Sequence, residues 1–238
     1  MTTLPKLYQF ALCPFCNKVR AALEIKGIAF DEVEVSPRSK VELPPLPEEA
    51  PRKVPVLTFG DDVVWDSTRI LAFLDEAFPD TTRFQPEDAQ AQQRAAEVEA
   101  WVDETFIASL PPVLYGTWRE AAKAAKIIAA QSRFSATGGL MVKVGGPLVM
   151  HAVAKRILAR NGRKDAHGWV GENLDHFERE LGEGPFVLGD RLSVADVAMQ
   201  GALTCLRPFP IFERVRDRPR LMAWYERIEA MKPRAAAA

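Results

Sequence analysis

The sequence has few cysteines and few histidines, with three of each. Three cysteines do not fit the disulfide framework of a small secreted protein. The histidines (His151, His167 and His176) show no metal-binding spacing, and no second closely spaced pair of cysteines or histidines is present to complete a zinc site. We therefore expect no metal centre in this protein.

The sequence also lacks an excess of charge of either sign, because 31 basic and 32 acidic residues give a formal net charge of -1. A protein that binds nucleic acid usually carries a strong positive field, so the overall charge favours neither nucleic acid nor an anionic membrane as a partner. A small-molecule partner is the better expectation.

A long hydrophobic run is absent as well. The longest apolar stretch, from Gly138 to Leu158, is interrupted by Lys143, by Gly145-Gly146-Pro147 and by His151, whereas a membrane-spanning helix needs about 20 mostly apolar residues. We predict no integral membrane segment there, and the sequence does not choose between an interfacial segment and one that covers a substrate. The N-terminus shows no signal-peptide pattern, which together with the low cysteine content favours a cytoplasmic protein.

The most informative motif is Cys13-Pro14-Phe15-Cys16, which lies between a strand-like apolar run and a helical pattern. Pro14 suits the first turn of a helix, so Cys13 is predicted to lie at the helix N-terminus. Unpaired N–H groups and the positive end of the helix dipole lower the pKa of a cysteine there from about 8.5 to roughly 3.5–7.5. Cys13 is therefore the predicted nucleophile, and Cys16, on the same helical face, is a candidate resolving thiol for a mixed disulfide on Cys13.

Two other interpretations of this motif stay open at this point. A zinc site would need four ligands, and Cys205 is the only cysteine outside the motif. A structural disulfide between Cys13 and Cys16 would be rare in a reducing compartment and would add little stability across so short a loop. Both are less favoured than a reactive thiol.

The pattern of the first 80 residues predicts strand, helix and strand, followed by strand, strand and helix, which is the thioredoxin topology. After a linker at residues 81–86, the composition changes to amphipathic helical patterns. We therefore predict an α/β, thioredoxin-like domain over residues 1–80 and an all-helical domain over residues 87–238. The predicted strands are Leu7–Phe10, Asp31–Val35, Val54–Phe59 and Val63–Trp65. The predicted helices of the second domain are Glu87–Ser109, Val113–Arg133, Leu148–Arg160, His167–Leu181, Val194–Leu206 and Pro219–Met231.

A proline interrupts the third strand, in Arg52-Lys53-Val54-Pro55-Val56. A central strand does not ordinarily accept proline, and a cis Val54-Pro55 bond would explain its presence. The N–H and C=O of Val54 would then turn outward, where they could pair with an extended peptide. The alternative is a trans proline in an edge strand.

Asp66-Ser67 follows the fourth strand, where the second helix of the first domain is predicted to begin. The N–H groups of a helix start, together with the Ser67 hydroxyl, offer a docking point for a carboxylate. The alternative is a plain helix cap that binds no ligand.

The cysteine motif, the interrupted strand and Asp66-Ser67 together resemble the glutathione transferase superfamily, and the resemblance extends along the chain. Leu7-Tyr8-Gln9, the cysteine motif, Lys18-Val19-Arg20 and Arg52-Lys53-Val54-Pro55-Val56 are similar to the membrane-associated prostaglandin E synthase type 2 group, whose cysteine motif also resembles that of glutaredoxin. Ser193-Val194-Ala195-Asp196 is similar to the helix-capping box of the superfamily. The resemblance implies a glutathione-binding first domain, glutathione as the cosubstrate and a symmetric homodimer.

The resemblance also assigns roles to residues by their position. It implies that Cys13 faces the glutathione sulfur, that Val54 pairs with the tripeptide backbone, and that Asp66 and Ser67 hold the γ-glutamyl end. The remaining candidates are Lys53 and Pro55 for contact with glutathione, and Phe10, Phe15 and Tyr115 for the pocket of the second substrate.

The sequence departs from the prostaglandin synthase group at Phe10, where members with that activity carry a tyrosine. Loss of a hydroxyl near the reacting oxygen disfavours isomerisation, whereas thiol exchange at Cys13 needs no such donor. The N-terminal membrane anchor of that group is not found in this sequence either.

We predict a cytoplasmic enzyme that uses the Cys13 thiolate for glutathione-dependent thiol transfer or deglutathionylation of a small hydrophobic, electrophilic or disulfide substrate. The alternatives are a prostaglandin isomerase and a non-catalytic protein that binds glutathione or haem.

Overall fold

The computed structural model describes residues 4–10, 12–36, 39–131 and 136–233, without the side chains of residues 131–144. Arg133, the predicted end of one helix, and residues 234–238, at the predicted end of the second domain, lie outside the described residues.

The first part of the chain is built on a mixed sheet of four strands, namely β1 (Lys6–Gln9), β2 (Asp31–Glu34), β3 (Val56–Phe59) and β4 (Asp62–Trp65). Their order across the sheet is β2-β1-β3-β4. Strand β1 runs parallel to β2 and antiparallel to β3, and β3 runs antiparallel to β4. Leu7 and Leu57 face each other across β1 and β3 and are fully buried.

Two helices, α1 (Pro14–Ile25) and α2 (Ser67–Ala77), complete this part of the fold. Each helix buries one apolar stripe at the spacing of a helix turn, since Val19 and Leu23 of α1 and Ile70 and Leu74 of α2 have no exposed surface. The order of strands and helices confirms the predicted thioredoxin-like fold.

The regular elements of the second part, within its described residues, are helices joined by turns and loops, one of which carries two isolated β-bridges, Phe186–Gly189 and Leu188–Arg191. Its helices are α3 (Ala89–Trp101), α4 (Leu110–Tyr115), α5 (Trp118–Gln131), α6 (Ala136–Arg160), α7 (Ala166–Leu181), α8 (Val194–Leu206), α9 (Glu213–Arg216) and α10 (Pro219–Met231). A π-helical turn (Val102–Phe106) and a 3₁₀ turn (Ile107–Ser109) connect α3 to α4. The bounds of α8 and α10 are the predicted ones.

The course of three helices differs from the prediction. The helix predicted from Glu87 to Ser109 changes to π and 3₁₀ geometry after Trp101. The helix predicted from Val113 begins earlier and breaks at Gly116, where a Cβ atom would lie 2.2 Å from the carbonyl oxygen of Pro112, so that glycine is required at this turn.

The third of these helices, predicted from Leu148 to Arg160, begins earlier than predicted, because α6 starts at Ala136 and continues through Gly145-Gly146-Pro147. Pro147 is buried, and α6 packs along both α4 and α5. This burial offsets the backbone hydrogen bond that a proline removes from a helix interior. Among the described residues, no helix is long and apolar enough to cross a membrane.

The two parts of the chain meet where α1 lies directly against α8. Gly201 of α8 faces the backbone of α1, and a Cβ atom at Gly201 would lie 2.5 Å from the amide nitrogen of Lys18. Real side chains do not tolerate such a distance, so the approach of these helices depends on glycine.

Lys18 forms buried ion pairs and a hydrogen bond at the same junction. Its ammonium lies 2.6 Å from Glu99 of α3 and 2.9 Å from Asp103 of the π turn, and it donates to the hydroxyl of Thr68 of α2 at 3.2 Å. Lys18 has almost no exposed surface, so its charge depends on these carboxylates. One side chain thus joins α1, α2 and the beginning of the helical part.

The predicted capping box at the start of α8 is confirmed. Asp196 is fully buried and accepts hydrogen bonds from the amide and hydroxyl of Ser193, at 3.0 and 2.8 Å. It also accepts from the amide of Val187 and from the indole N–H of Trp224. Burial raises the pKa of Asp196, and these donors oppose the rise.

The close contact of α1 and α8 predicts opposite effects for two Gly→Ala substitutions. Gly201→Ala forces the helices apart and is expected to lower the free energy of unfolding by about 1–3 kcal/mol. Gly145→Ala, in a helix position with no atom within 4 Å of the added Cβ, is expected to raise it by about 0.5–1 kcal/mol. Urea denaturation of both variants checks this, and equal stabilities would contradict the packing described for Gly201.

Candidate functional site

Cys13 is the N-cap residue of α1 and has an extended backbone, with φ of -89° and ψ of 116°. Its amide donates to the carbonyl oxygen of Phe10 at 3.1 Å, and its own carbonyl oxygen accepts from the amide of Asn17 at 3.0 Å. The residue is 7% exposed. The start of α1 therefore fixes the thiol beside the open amides of the first helical turn.

Four groups around Cys13 favour its thiolate. A hydrogen bond from the Cys16 side chain has the largest effect, and the amides of Cys16 and Phe15 and the charge of Arg20 add to it. Together they hold the pKa of the Cys13 thiol below its ordinary value although burial opposes the shift. Burial, the hydrogen bond to Cys13 and the charge of Cys13 raise the pKa of Cys16. The pair thus combines a Cys13 thiol whose pKa is lowered with a Cys16 thiol whose pKa is raised.

Arg20 is a site residue that the sequence analysis did not single out. It lies about two helical turns after Cys13. Its guanidinium donates to the side-chain oxygen of Asn17 at 2.6 Å, to that of Gln9, and to Glu32 at 3.0 Å. These bonds hold the positive charge of Arg20 on the Cys13 side of α1. The helical spacing between Cys13 and Arg20 was the one sequence signal that could have identified Arg20.

One cavity of about 240 Å³ brings together six of the predicted site residues. Its lining comprises Phe15, Pro51, Lys53, Val54, Pro55, Trp65, Asp66 and Ser67. The Val54-Pro55 bond is cis, as predicted. No turn or loop hydrogen bond within the described ranges uses the amide of Val54.

Asp66 is the N-cap of α2, and its Oδ1 atom accepts from the amides of Thr68 and Arg69 at 3.0 and 3.3 Å. Both bonds use Oδ1, so the second carboxylate oxygen is not part of the cap. Asp66 also has a φ of 73°, which residues other than glycine seldom adopt. Asp66 therefore caps the start of α2 and also lines the cavity.

A second cavity, of about 260 Å³, opens onto Cys13. Its lining comprises Phe10, Cys13, Val35, Ser36, Lys40, Lys53 and Val54. Lys53 and Val54 line both cavities, so the two cavities adjoin at the segment that directly precedes β3. Phe10 presents a phenyl ring beside Cys13 and no hydroxyl.

Two predicted residues lie outside both linings. Cys16 has no exposed surface and contacts the site through Cys13. Tyr115 is packed against the core, where burial, with smaller effects of Cys205 and Cys13, raises its pKa to about 12. Trp65 and Lys40, which line the cavities, were not predicted, although Trp65 directly precedes Asp66 in the sequence.

Comparison with known proteins agrees with this arrangement. Residues 7–82 match the family described as glutathione S-transferase, N-terminal domain, and residues 152–232 match glutathione S-transferase, C-terminal domain. The chain belongs to the glutathione transferase superfamily. Members of the superfamily bind glutathione and electrophilic substrates and often form dimers.

The relatives of this transferase include prostaglandin E synthase 2. The mouse protein (Mus musculus) is 25% identical over 94% of this chain and 69% of its own length. Glutathione S-transferase L1 of Arabidopsis thaliana is 24% identical over 95% of this chain and 78% of its own length.

Solved structures of other transferases share the fold. The beta-etherase LigF of Sphingobium sp. strain SYK-6 superposes with a TM-score of 0.67 and 23% identity, covering 98% of this chain and 96% of its own. A glutathione S-transferase of Sinorhizobium meliloti 1021 gives a TM-score of 0.68 and 19% identity, covering 97% and 90%. At these identities the likeness shows the fold alone.

The pairing of the two cysteines predicts how Cys13 of this transferase responds to loss of Cys16. Cys16→Ala removes the S–H donor, so the pKa of Cys13 rises and less thiolate is present at neutral pH. Because a hydrogen bond to a charged group contributes about 1.5–3 kcal/mol, alkylation of Cys13 by iodoacetamide at neutral pH is expected to slow by roughly tenfold or more. The rate is followed by mass spectrometry across a pH series.

Cys205→Ser is the matched control for that experiment. Cys205 is buried in α8, where its sulfur accepts from the Asn17 amide group at 3.1 Å, and burial raises its pKa. Replacement of Cys205 is expected to leave unchanged the pH at which Cys13 alkylation reaches half of its maximal rate. An unchanged midpoint in Cys16→Ala would contradict the donor role of Cys16.

Proposed function

We propose that this transferase uses the Cys13 thiolate for glutathione-dependent thiol transfer, and removes glutathione from small disulfide or glutathionylated substrates. The observation that carries the proposal is that Cys13, with its lowered pKa, lines a cavity that shares Lys53 and Val54 with the cavity of Asp66 and Ser67. A cysteine with a lowered pKa and a cavity that carries Lys53, Asp66 and Ser67 are thus neighbours.

The chemistry of the cavities supports glutathione as the peptide. The backbone of Val54 can pair with an extended peptide in the manner of an added strand. The hydroxyl and the backbone amide of Ser67 suit the γ-glutamyl carboxylate, and the Asp66 carboxylate suits the ammonium group. Lys53 supplies a positive charge between the cavities, suited to the second carboxylate of the tripeptide.

The first step of the proposed reaction is attack of the Cys13 thiolate on the glutathione sulfur of a mixed disulfide. A Cys13–glutathione disulfide forms, the original S–S bond breaks, and the substrate leaves as a thiolate that takes a proton from water. A second glutathione thiolate then attacks the glutathione sulfur on Cys13. This step releases glutathione disulfide and regenerates the Cys13 thiolate, so that the substrate is reduced and glutathione is oxidised.

A thiolate at this position favours exchange over conjugation. Conjugation requires a donor that stabilises the glutathione thiolate without competing with it as a nucleophile. Cys13 is itself charged and nucleophilic, and Phe10 beside it offers no hydroxyl. Cys16 takes part as the donor that holds the Cys13 thiolate.

The proposal predicts that Cys13→Ser loses thiol transfer from a small disulfide to glutathione. Activity is expected to fall to the uncatalysed rate, because a serine hydroxyl stays protonated and cannot form the mixed disulfide. The assay follows formation of glutathione disulfide. Cys205→Ser is the control and is expected to keep the activity, and transfer that persists undiminished in Cys13→Ser would refute the proposal.

A second candidate function comes from the relatives named prostaglandin E synthase 2. We infer that Phe10 disfavours this isomerase reaction, because it lines the Cys13 cavity without a hydroxyl to stabilise the reacting oxygen. Incubation with a prostaglandin endoperoxide and glutathione is expected to give no isomer above background for the wild type. Phe10→Tyr is the matched variant, and isomer formation by the unmodified protein would favour the isomerase over thiol transfer.

A further inference from the structure

Four of the six exposed large apolar side chains of the described residues lie in one place. Leu148, Val149 and Val153 of α6 are 62%, 64% and 43% exposed, and Trp118 at the start of α5 is 56% exposed. The Trp118 ring stacks on the ring of His151 of α6, with ring centroids 5.0 Å apart. We call Trp118, Leu148, Val149 and Val153 the outer α6 patch.

Cationic side chains lie further along the same side of α6. At 3.6 residues per turn, Lys155, Arg156 and Arg160 project within the arc that also contains Leu148 and Val153. All three are exposed. The opposite side of the helix is turned inward, where Pro147 and Ala154 are buried. The outer side therefore presents an apolar section followed by a basic section.

The charge of this segment differs from that of the whole chain. From Ala121 to Lys164 the sequence contains no acidic residue, although the chain as a whole has a formal net charge of -1. The basic residues of this segment are Lys123, Lys126, Arg133, Lys143, Lys155, Arg156, Arg160, Arg163 and Lys164.

Most of the charge on the outer side of α6 is not neutralised by neighbours. Arg163 pairs with Glu172 at 2.6 Å. No ion pair within the described part of the chain involves Lys155, Arg156 or Arg160. These three cations are therefore available to an external anionic surface.

We propose that the outer α6 patch and its adjoining cations dock this protein on a membrane surface that contains anionic lipids. Apolar side chains on a helix with Lys and Arg nearby are suited to lie in the interface plane, with the apolar groups at the boundary of headgroups and acyl chains. Trp118 suits the same depth, because tryptophan prefers the membrane interface. The anionic headgroups then contact Lys155, Arg156 and Arg160.

Charge complementarity favours lipid over a second copy of the chain. A symmetric contact through this face would bring the cations of two copies close to one another, in a segment that holds no acidic residue to pair with them. Nucleic acid would satisfy the cations but would leave Leu148 and Val149 exposed. A lipid surface accommodates both sections of the face.

The test is co-sedimentation of the full chain with phosphatidylcholine vesicles, with and without phosphatidylserine. Binding is expected only to vesicles with phosphatidylserine, and is expected to weaken as salt is raised. Lys155→Gln with Arg156→Gln is expected to lower the partition coefficient roughly 25-fold, at about fivefold for each cation. Leu148→Ser with Val149→Ser is expected to lower it about tenfold or more.

The control is Arg216→Gln with Arg220→Gln, which changes the net charge equally at exposed positions on α9 and α10. It is expected to keep full binding. Trp118 fluorescence is expected to shift to shorter wavelength on binding, and the shift should be absent from Trp118→Phe. The proposal is overturned by absence of binding to the phosphatidylserine vesicles, by equal loss in the control, or by a dimer that Leu148→Ser with Val149→Ser dissociates.

Discussion

The contact of α1 with α8 at Gly201 sets how closely the two parts of the chain approach each other beside Cys13. A Cβ atom at Gly201 would lie 2.5 Å from the Lys18 amide nitrogen, so the two helices meet backbone against backbone. Because α1 begins directly after Cys13, the contact fixes the thiol relative to both parts of the chain. The Lys18 ammonium strengthens the same junction through Glu99 and Asp103. The chemical site therefore takes its position from the core of the molecule and not from a loop.

At the site itself, the pKa values of two cysteines of similar intrinsic chemistry are shifted in opposite directions. Cys13 lies among donors at the start of α1, and its pKa is lowered, whereas Cys16 is buried beside that negative charge, and its pKa is raised. This difference supports the proposal that Cys13 is the nucleophile and Cys16 its hydrogen-bond donor. Lys53 and Val54 then join the cavity of Cys13 to the cavity of Asp66 and Ser67. The proposed reactivity and peptide recognition thus rest on adjoining cavities of the first part of the chain.

The sequence was informative wherever a local rule decides the structure. Pro14 and the apolar periodicity after it placed Cys13 at a helix start, and the capping box placed the start of α8 at Val194. It was misleading at Gly145-Gly146-Pro147, because packing of α6 against α4 and α5 overrides a local turn signal. The contacts of Lys18 with Glu99 and Asp103 were missed because they join residues from separate elements, and a single sequence carries no local pattern for such contacts.

Whether Cys13 faces a bound glutathione is decided by mapping glutathione on the intact protein. The protein is incubated with glutathione disulfide, digested under non-reducing conditions and examined by mass spectrometry, before and after addition of reduced glutathione. Our account predicts glutathione on Cys13 alone, without modification of Cys16 or Cys205, and its removal by reduced glutathione. Modification of Cys205 with an unmodified Cys13, or no modification at all, would contradict it.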